Sequence, residues 1–210
     1  MELLLMVFGA LFSVMNPFGT VPVFVSLTKG QTASERSTIA LKTSLNILVI
    51  LLISFFLGKY ILVFFGISVN SLKIAGGLII TSSGFALLTG KFTEHKGMKK
   101  KNVKIDLESR SEISLTPLAL PMIAGPGTIS LLITYNQEYS AVLDVVAILG
   151  AIVLAAVSVF ATLKSAHYFV RILGGSGINA LSRIIGFIVI AIGIEFIIAA
   201  SLSILKGLTF

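Results

Sequence analysis

The residues best suited to binding a small charged ligand form two clusters of proline and glycine in otherwise apolar sequence. The chain has five prolines, and they fall in these two clusters: Pro17 and Pro22, then Pro117, Pro121 and Pro126. The motifs read Asn-Pro-Phe-Gly-Thr at 16–20 and Pro-Met-Ile-Ala-Gly-Pro-Gly-Thr at 121–128. A proline inside a helix removes a backbone N–H and clashes with the preceding turn, and glycine permits unwinding. Each cluster therefore predicts a break in a helix.

Free backbone groups at two such breaks suit a zwitterion. We predict second half-helices that begin near Gly19-Thr20 and Gly127-Thr128, where N–H groups and positive dipole ends favour a carboxylate or other anion. Carbonyl groups freed around Asn16 and Ala124 would accept hydrogen bonds from an ammonium group or a coupling cation. The predicted substrate-binding residues are Asn16, Pro17, Gly19, Thr20, Ala124, Gly125, Gly127 and Thr128. The alternative is a simple proline kink that packing relieves.

Glu195 is the acidic residue that lies well inside a predicted span, in the stretch Ile192-Gly193-Ile194-Glu195-Phe196. A charge at the centre of a membrane helix costs roughly 2.5–3.5 kcal/mol on insertion scales, so this carboxyl should face the interior or be protonated. We interpret it as a candidate for proton coupling or as the partner of an ammonium group. The alternative is an acid near the external end of its span that reaches headgroup water.

Other kinds of site find little support in the sequence. The chain has no cysteine and two histidines, His95 and His167, so neither a disulfide nor a zinc site is expected. No phosphate-binding Gly-x-x-x-x-Gly-Lys-Ser/Thr motif is present, and the predicted spans offer no nucleophile with a base at depth. We therefore expect a protein that is not an enzyme and has no cofactor, with H+ or Na+ as the coupling ions left open.

The elements that must position these residues are membrane helices. The chain has 210 residues, of which 56% are hydrophobic and 12% charged, and its mean hydropathy is +1.03. Runs of roughly 20 apolar residues match a bilayer core of ~30 Å, and the sequence lacks the short alternating segments of a membrane β-barrel. The predicted fold is an all-α membrane protein with six transmembrane helices, of which helices 1 and 4 are discontinuous near mid-membrane. The spans are 3–27, 40–65, 71–90, 114–134, 143–169 and 180–205.

The distribution of basic residues predicts the orientation of these spans. Six spans place thirteen of the sixteen Lys and Arg residues on one side and leave Lys59, Lys73 and Lys206 on the other. Cytoplasmic loops carry an excess of Lys and Arg. We therefore expect a multi-pass protein of the cell inner membrane, with the lysine-rich loop 91–113 cytoplasmic and both termini outside. The net charge of +7 then needs no nucleic acid partner, because contact with anionic membrane lipids accounts for it.

An internal repeat divides the chain into two halves. At a constant offset of 109 residues several positions agree, among them Pro17 with Pro126, Gly77 with Gly186 and Gly84 with Gly193. Repetition at one offset indicates a duplication. Because each half contains three spans, residues 1–90 and 114–210 should enter the membrane from opposite sides, as the inverted repeats of secondary transporters do. A bundle whose duplication has no mechanistic meaning is the alternative.

The chain resembles the MarC/SnatA family of six-span neutral amino acid transporters. The resemblance covers nearly the whole chain and rests on Asn-Pro-Phe-Gly in the first span, Pro-Met-Ile-Ala-Gly-Pro-Gly in the fourth, the basic central loop and the length. It implies a secondary transporter for small neutral amino acids such as glycine, alanine, serine or threonine. The ligand would bind at a midplane site under alternating access, in either uptake or export. A channel or a non-transporting membrane scaffold is the alternative, and a homo-oligomer remains open.

Overall fold

The computed structural model describes residues 2–90, 119 and 123–208, and the regular structure in these residues is helical. The predicted cytoplasmic loop 91–113 and most of the first half of the fourth predicted span lie outside the described residues. We number the helices in chain order: α1 (Glu2–Met15), α2 (Pro17–Leu27), α3 (Ala33–Phe65), α4 (Val69–Thr89), α5 (Pro126–Glu138), α6 (Val142–Lys164) and α7 (Ala166–Leu208).

The predicted break in the first span is confirmed. Helices α1 and α2 are separated at Asn16 and meet at an angle of 43°. Asn16 has φ 42° and ψ 68°, a left-handed conformation that asparagine tolerates better than most residues. The second half-helix starts at Pro17 rather than near Gly19, because proline is well suited to the first helical position, where its missing N–H is not needed.

Two helices are longer than their predicted spans. Helix α3 begins at Ala33, seven residues before the predicted span 40–65, because Thr32 and Glu35 form a capping box. In this box the Glu35 side chain accepts a hydrogen bond of 2.7 Å from the Thr32 N–H. Helix α7 runs from Ala166 and includes the predicted span 180–205, but Gly174, with φ 61° and ψ 178°, interrupts its helical backbone.

Four described helices are long and apolar enough to cross a membrane, and the bent pair α1–α2 makes a fifth candidate span. The four are α3, α4, α6 and most of α7. Helix α5 has 13 residues and lies in the second part of the predicted fourth span. The protein is thus an all-helical chain with four to five candidate spans among its described residues.

The most extensive helix pair is α4 with α7, and glycine permits its close approach. A Cβ atom placed on Gly77 would lie 2.6 Å from the carbonyl oxygen of Gly193, and one placed on Gly84 would lie 2.8 Å from that of Gly186. The residue number rises along one helix as it falls along the other, so the two helices are antiparallel. The backbones are therefore in direct contact at two points along the crossing.

Further contacts join the two halves. Helix α2 packs on α7 much as its repeat counterpart α5 packs on α4, and α1 packs on α6 while α5 packs on α3. Helix α3 also packs on α6, where the buried Ser44 hydroxyl donates a hydrogen bond of 2.6 Å to the carbonyl oxygen of Ala156. The core lies between the two halves and includes Phe24, Phe55, Ile80 and Leu131, whose side chains are fully buried.

Candidate functional site at the two helix starts

Asn16 is the most unusual residue of the first predicted cluster. It is fully buried, and its Oδ1 accepts a hydrogen bond of 3.2 Å from the Gly19 N–H, which caps α2. A Cβ atom on Gly19 would lie 2.3 Å from Asn16 Nδ2, so only glycine leaves room for this side chain. The Nδ2 group has no hydrogen-bond partner among the described residues. A buried amide without a partner is costly, and it is therefore a candidate donor to a ligand.

The two other polar groups of this cluster are internally satisfied. Pro17 is buried at the start of α2, and its carbonyl oxygen accepts a hydrogen bond of 2.6 Å from the hydroxyl of Thr20, which is fully buried. Thr20 therefore uses its donor within the helix and has no free O–H for a ligand.

The second cluster forms a helix start without a side-chain cap. Helix α5 begins at Pro126, one residue before the predicted Gly127, and its N-cap is Gly125. Because glycine has no side chain, Gly125 cannot accept from the N–H groups of the first turn. Both Gly127 and Thr128 are buried. A helix start with neither cap nor full solvent access leaves a partial positive charge that an anion would stabilise.

The backbone before α5 is irregular. Ala124 is fully buried, and its N–H donates a hydrogen bond of 2.9 Å to the carbonyl oxygen of Ala119, five residues earlier. The Thr128 hydroxyl is 3.4 Å from the carbonyl oxygen of Ile123. Helix α5 therefore starts from an irregular turn, and the half-helix predicted before it lies largely outside the described residues.

The two helix starts approach each other. A Cβ atom on Gly127 would lie 3.6 Å from Cγ1 of Val14, which is two residues before Asn16, and 2.9 Å from Cγ1 of Ile80 on α4. In the sequence of α4, Ile80 lies between Gly77 and Gly84, where the backbones of α4 and α7 meet most closely. The breaks are therefore both beside the middle of the α4–α7 crossing.

Glu195 does not lie at the helix starts but is exposed in the wall of a cavity of about 590 Å³ between α1 and α7, which is open to the surface of the bundle. The polar side chains of this cavity are Ser13, Tyr135 and Glu195, and most of the other lining residues are apolar. Ser13 lies one helical turn before Asn16, and Tyr135 lies two turns after Thr128. Sequence reasoning missed the cavity, because nothing in the local sequence of Ser13 or Tyr135 indicates that α1, α5 and α7 meet there.

Contacts near the two ends of the bundle show which helix ends lie close together. At one end Lys73 of α4 forms an ion pair with Glu138 of α5, and Asn70 donates a hydrogen bond of 3.3 Å to the hydroxyl of Ser203. At the other end a Cβ atom on Gly90 would lie 3.9 Å from the guanidinium of Arg183. Loops that the six-span prediction assigns to one side therefore lie together.

A family model described as "MarC family integral membrane protein" matches residues 1–205. The UPF0056 membrane protein YhcE of Escherichia coli is 39% identical over 201 residues, which are 96% of this chain and 93% of that protein. The UPF0056 membrane protein MJ1677 of Methanocaldococcus jannaschii is 35% identical over 198 residues, 94% and 95% of the two chains. The UPF0056 inner membrane protein MarC of Citrobacter koseri is 33% identical over 199 residues, 91% and 90% of the two chains. No solved structure matches.

Proposed function

Because the chain belongs to the MarC family of integral membrane proteins, we propose that it is a secondary transporter of small neutral amino acids such as glycine, alanine, serine or threonine. One observation carries the proposal: the buried, uncapped start of α5 lies beside the break at Asn16, whose Nδ2 has no partner among the described residues. Asn16 Nδ2 is a donor without a partner among the described residues, the first turn of α5 has no side-chain cap, and a carboxylate accepts from donors of both kinds.

We propose that the scaffold is an inverted repeat of six spans. Helices α2 and α5 start 109 residues apart, at Pro17 and Pro126, and so do α3 and α6, at Ala33 and Val142. The same offset converts the contact between Gly77 and Gly193 into the contact between Gly186 and Gly84. A two-fold axis through the α4–α7 crossing would have this effect. It would lie in the membrane plane, as in transporters that alternate the access of one central site.

The proposed ligand site lies at that axis. The substrate carboxylate would accept hydrogen bonds from the first N–H groups of α5, at Gly127 and Thr128, and from Asn16 Nδ2. Backbone carbonyls at the two breaks, around Asn16 and Ala124, would accept from the ammonium group. Because Val14 and Ile80 lie next to Gly127, a small apolar side chain fits this region better than a charged one.

The orientation and coupling of transport complete the proposal. We place the protein in the inner membrane with loop 91–113 cytoplasmic and both termini outside, on the positive-inside bias and on the name of the Citrobacter koseri relative. We propose that the ligand site at the helix starts binds its ligand without catalysing a reaction. The driving ion would be H+ or Na+, and Glu195 would serve in proton coupling or as the partner of an ammonium group. If it carries the proton, Glu195→Gln should abolish proton-coupled flux, and unchanged coupling would refute the proton-carrying role.

The experiment that tests the site uses Asn16→Asp in the full-length protein. This change keeps an oxygen that accepts from Gly19 N–H, but it replaces the free donor with a second acceptor that repels a carboxylate. We expect alanine or glycine to raise the melting temperature of the wild-type protein in detergent, and Asn16→Asp to weaken the apparent affinity by about tenfold or more. Gly127→Leu should abolish the shift.

Asn70→Asp is the matched control, because it makes the same chemical change at the distant contact with Ser203. It should leave the ligand-induced shift as it is in the wild type. If no small amino acid stabilises the protein or crosses proteoliposome membranes that contain it, the proposed function is wrong. Equal losses of affinity in Asn16→Asp and Asn70→Asp would refute the site.

A further inference from the structure

The cavity between α1 and α7 differs chemically from the helix starts. Its volume of about 590 Å³ is within the range of small-molecule sites. One wall is formed by Leu5, Gly9 and Ser13 of α1, and the other by Ile188, Ala191 and Glu195 of α7. Glu195 is the one charged side chain among the described residues of this lining. The cavity therefore presents a carboxylate to an otherwise weakly polar space.

Glu195 is well within the proposed membrane region. The α4–α7 contacts at Gly186 and Gly193 place the centre of the crossing between these two residues of α7. Glu195 is five to six residues beyond that centre, or about 8 Å along the helix axis. Helix α7 continues to Leu208, 13 residues beyond Glu195.

The Glu195 carboxyl has no cationic partner among the residues that the structure describes. The ion pair found in that part of the chain joins Lys73 and Glu138. A carboxylate at membrane depth is stabilised by a cation or by a proton. An exposed carboxylate in an open cavity lined by apolar side chains therefore favours cationic groups over anionic ones.

We propose that the cavity is a cation-selective vestibule, which binds the ammonium group of a small amino acid at Glu195 before the ligand reaches the helix starts. The route is short, because Ser13 and Tyr135 at the cavity lie one and two turns from Asn16 and Thr128 respectively. The amino acid as natural occupant rests on the proposed function. The selectivity for cations rests on the cavity and its carboxylate alone.

The absence of cysteine from the chain permits a test that does not depend on transport. Ala191 lines the cavity one helical turn before Glu195, on the same face of α7. The variant Ala191→Cys in detergent is labelled with 2-(trimethylammonium)ethyl methanethiosulfonate, a cation, and with 2-sulfonatoethyl methanethiosulfonate, an anion. The ratio of the two rates is divided by the same ratio for Ile67→Cys, which lies in the exposed turn between α3 and α4.

We expect a normalised ratio of about 10 in favour of the cationic reagent. Adding Glu195→Gln should reduce it to about 1, whereas Glu195→Asp, which keeps the charge, should preserve most of it. A ratio near 1 in Ala191→Cys alone, or one that Glu195→Gln leaves unchanged, would overturn the proposal.

A second measurement needs no change at Glu195. Methylammonium chloride should slow the labelling of Ala191→Cys by uncharged N-ethylmaleimide at least twofold relative to sodium chloride at equal ionic strength, and it should not slow that of Ile67→Cys. Equal rates in the two salts would count against the vestibule. If the labelling is selective but the protein transports no amino acid, the proposed function is wrong and the vestibule is supported. If the protein transports amino acids but the labelling is not selective, the vestibule is wrong and the proposed function is supported.

Discussion

Ser130 of α5 occupies the space that a side chain at Gly76 of α4 would fill. A Cβ atom on Gly76 would lie 2.1 Å from the Ser130 Oγ and 2.7 Å from its Cβ. From this position the Ser130 hydroxyl donates a hydrogen bond of 3.2 Å to the carbonyl oxygen of Leu72. Helix α5 thus packs closely on α4 because both helices have a small residue at the contact, Gly76 on α4 and Ser130 on α5.

We therefore expect Gly76→Ala to destabilise the protein by about 1–3 kcal/mol, as overpacking of a close contact does. Adding Ser130→Gly should restore part of the loss, because it removes the atoms that the new methyl group meets. Thermal unfolding in detergent measures both effects. Gly9→Ala is the control, since a Cβ atom at Gly9 meets nothing within 4 Å. If the losses of stability in Gly76→Ala and Ser130→Gly simply add in the double variant, the two residues do not interact and this account of the contact is wrong.

Asn16 should tolerate glycine better than alanine. Asn16→Ala removes the cap on Gly19 N–H and places an alanine at φ 42°, and we expect a loss of about 2 kcal/mol from the two effects together. Asn16→Gly removes the side chain but accepts the positive φ, so it should cost less than half as much. Denaturation midpoints of the two variants test this order. A reversed order would mean that Asn16 is not held in the left-handed conformation.

The ion pair between Lys73 and Glu138 should stabilise the contact of α4 with α5. The Lys73 side chain is 11% exposed and that of Glu138 is 37% exposed, so the pair is only partly screened by solvent. We expect a coupling energy of about 1 kcal/mol in a double-mutant cycle of Lys73→Met and Glu138→Gln. A coupling energy of zero within error would show that the two charges act independently.

The proposed orientation predicts the side from which single cysteines are labelled. Ile67→Cys, in the turn after α3, should react with a membrane-impermeant maleimide in intact cells. Ser34→Cys, in the first turn of α3, should react only after the membrane is permeabilised. The opposite pattern would show that the protein has the opposite orientation in the membrane. Labelling of both sites in intact cells would mean that α3 does not cross the membrane.

The helix breaks follow from local sequence, because proline and glycine act on the backbone of their own turn. That is why Pro17 and Pro126 mark the starts of α2 and α5 to within a few residues. The start of α3 also has a local signal, the capping box of Thr32 and Glu35, which hydropathy alone does not detect. Such signals need no knowledge of the tertiary structure.

The position of Glu195 in a cavity does not follow from local sequence. It depends on how α1, α5 and α7 pack, and hence on contacts between residues more than 50 positions apart. The break in α7 at Gly174 lies between the predicted spans 143–169 and 180–205, but the helical structure on both sides of it within 170–179 was not predicted. Sequence thus predicts where the backbone is irregular better than it predicts which side chains face the same space.

Helix α2 has a side-chain cap and helix α5 has none, and this difference affects how a ligand would bind between them. Asn16 and Gly125 occupy the same place in the repeat, but the first brings its own acceptor to the helix start and the second brings none. Two identical half-sites would hold a zwitterion equally well in either direction. With one helix start already neutralised, a bound amino acid should point its negative end toward the second half of the chain, and a symmetric scaffold would thereby acquire a directional site.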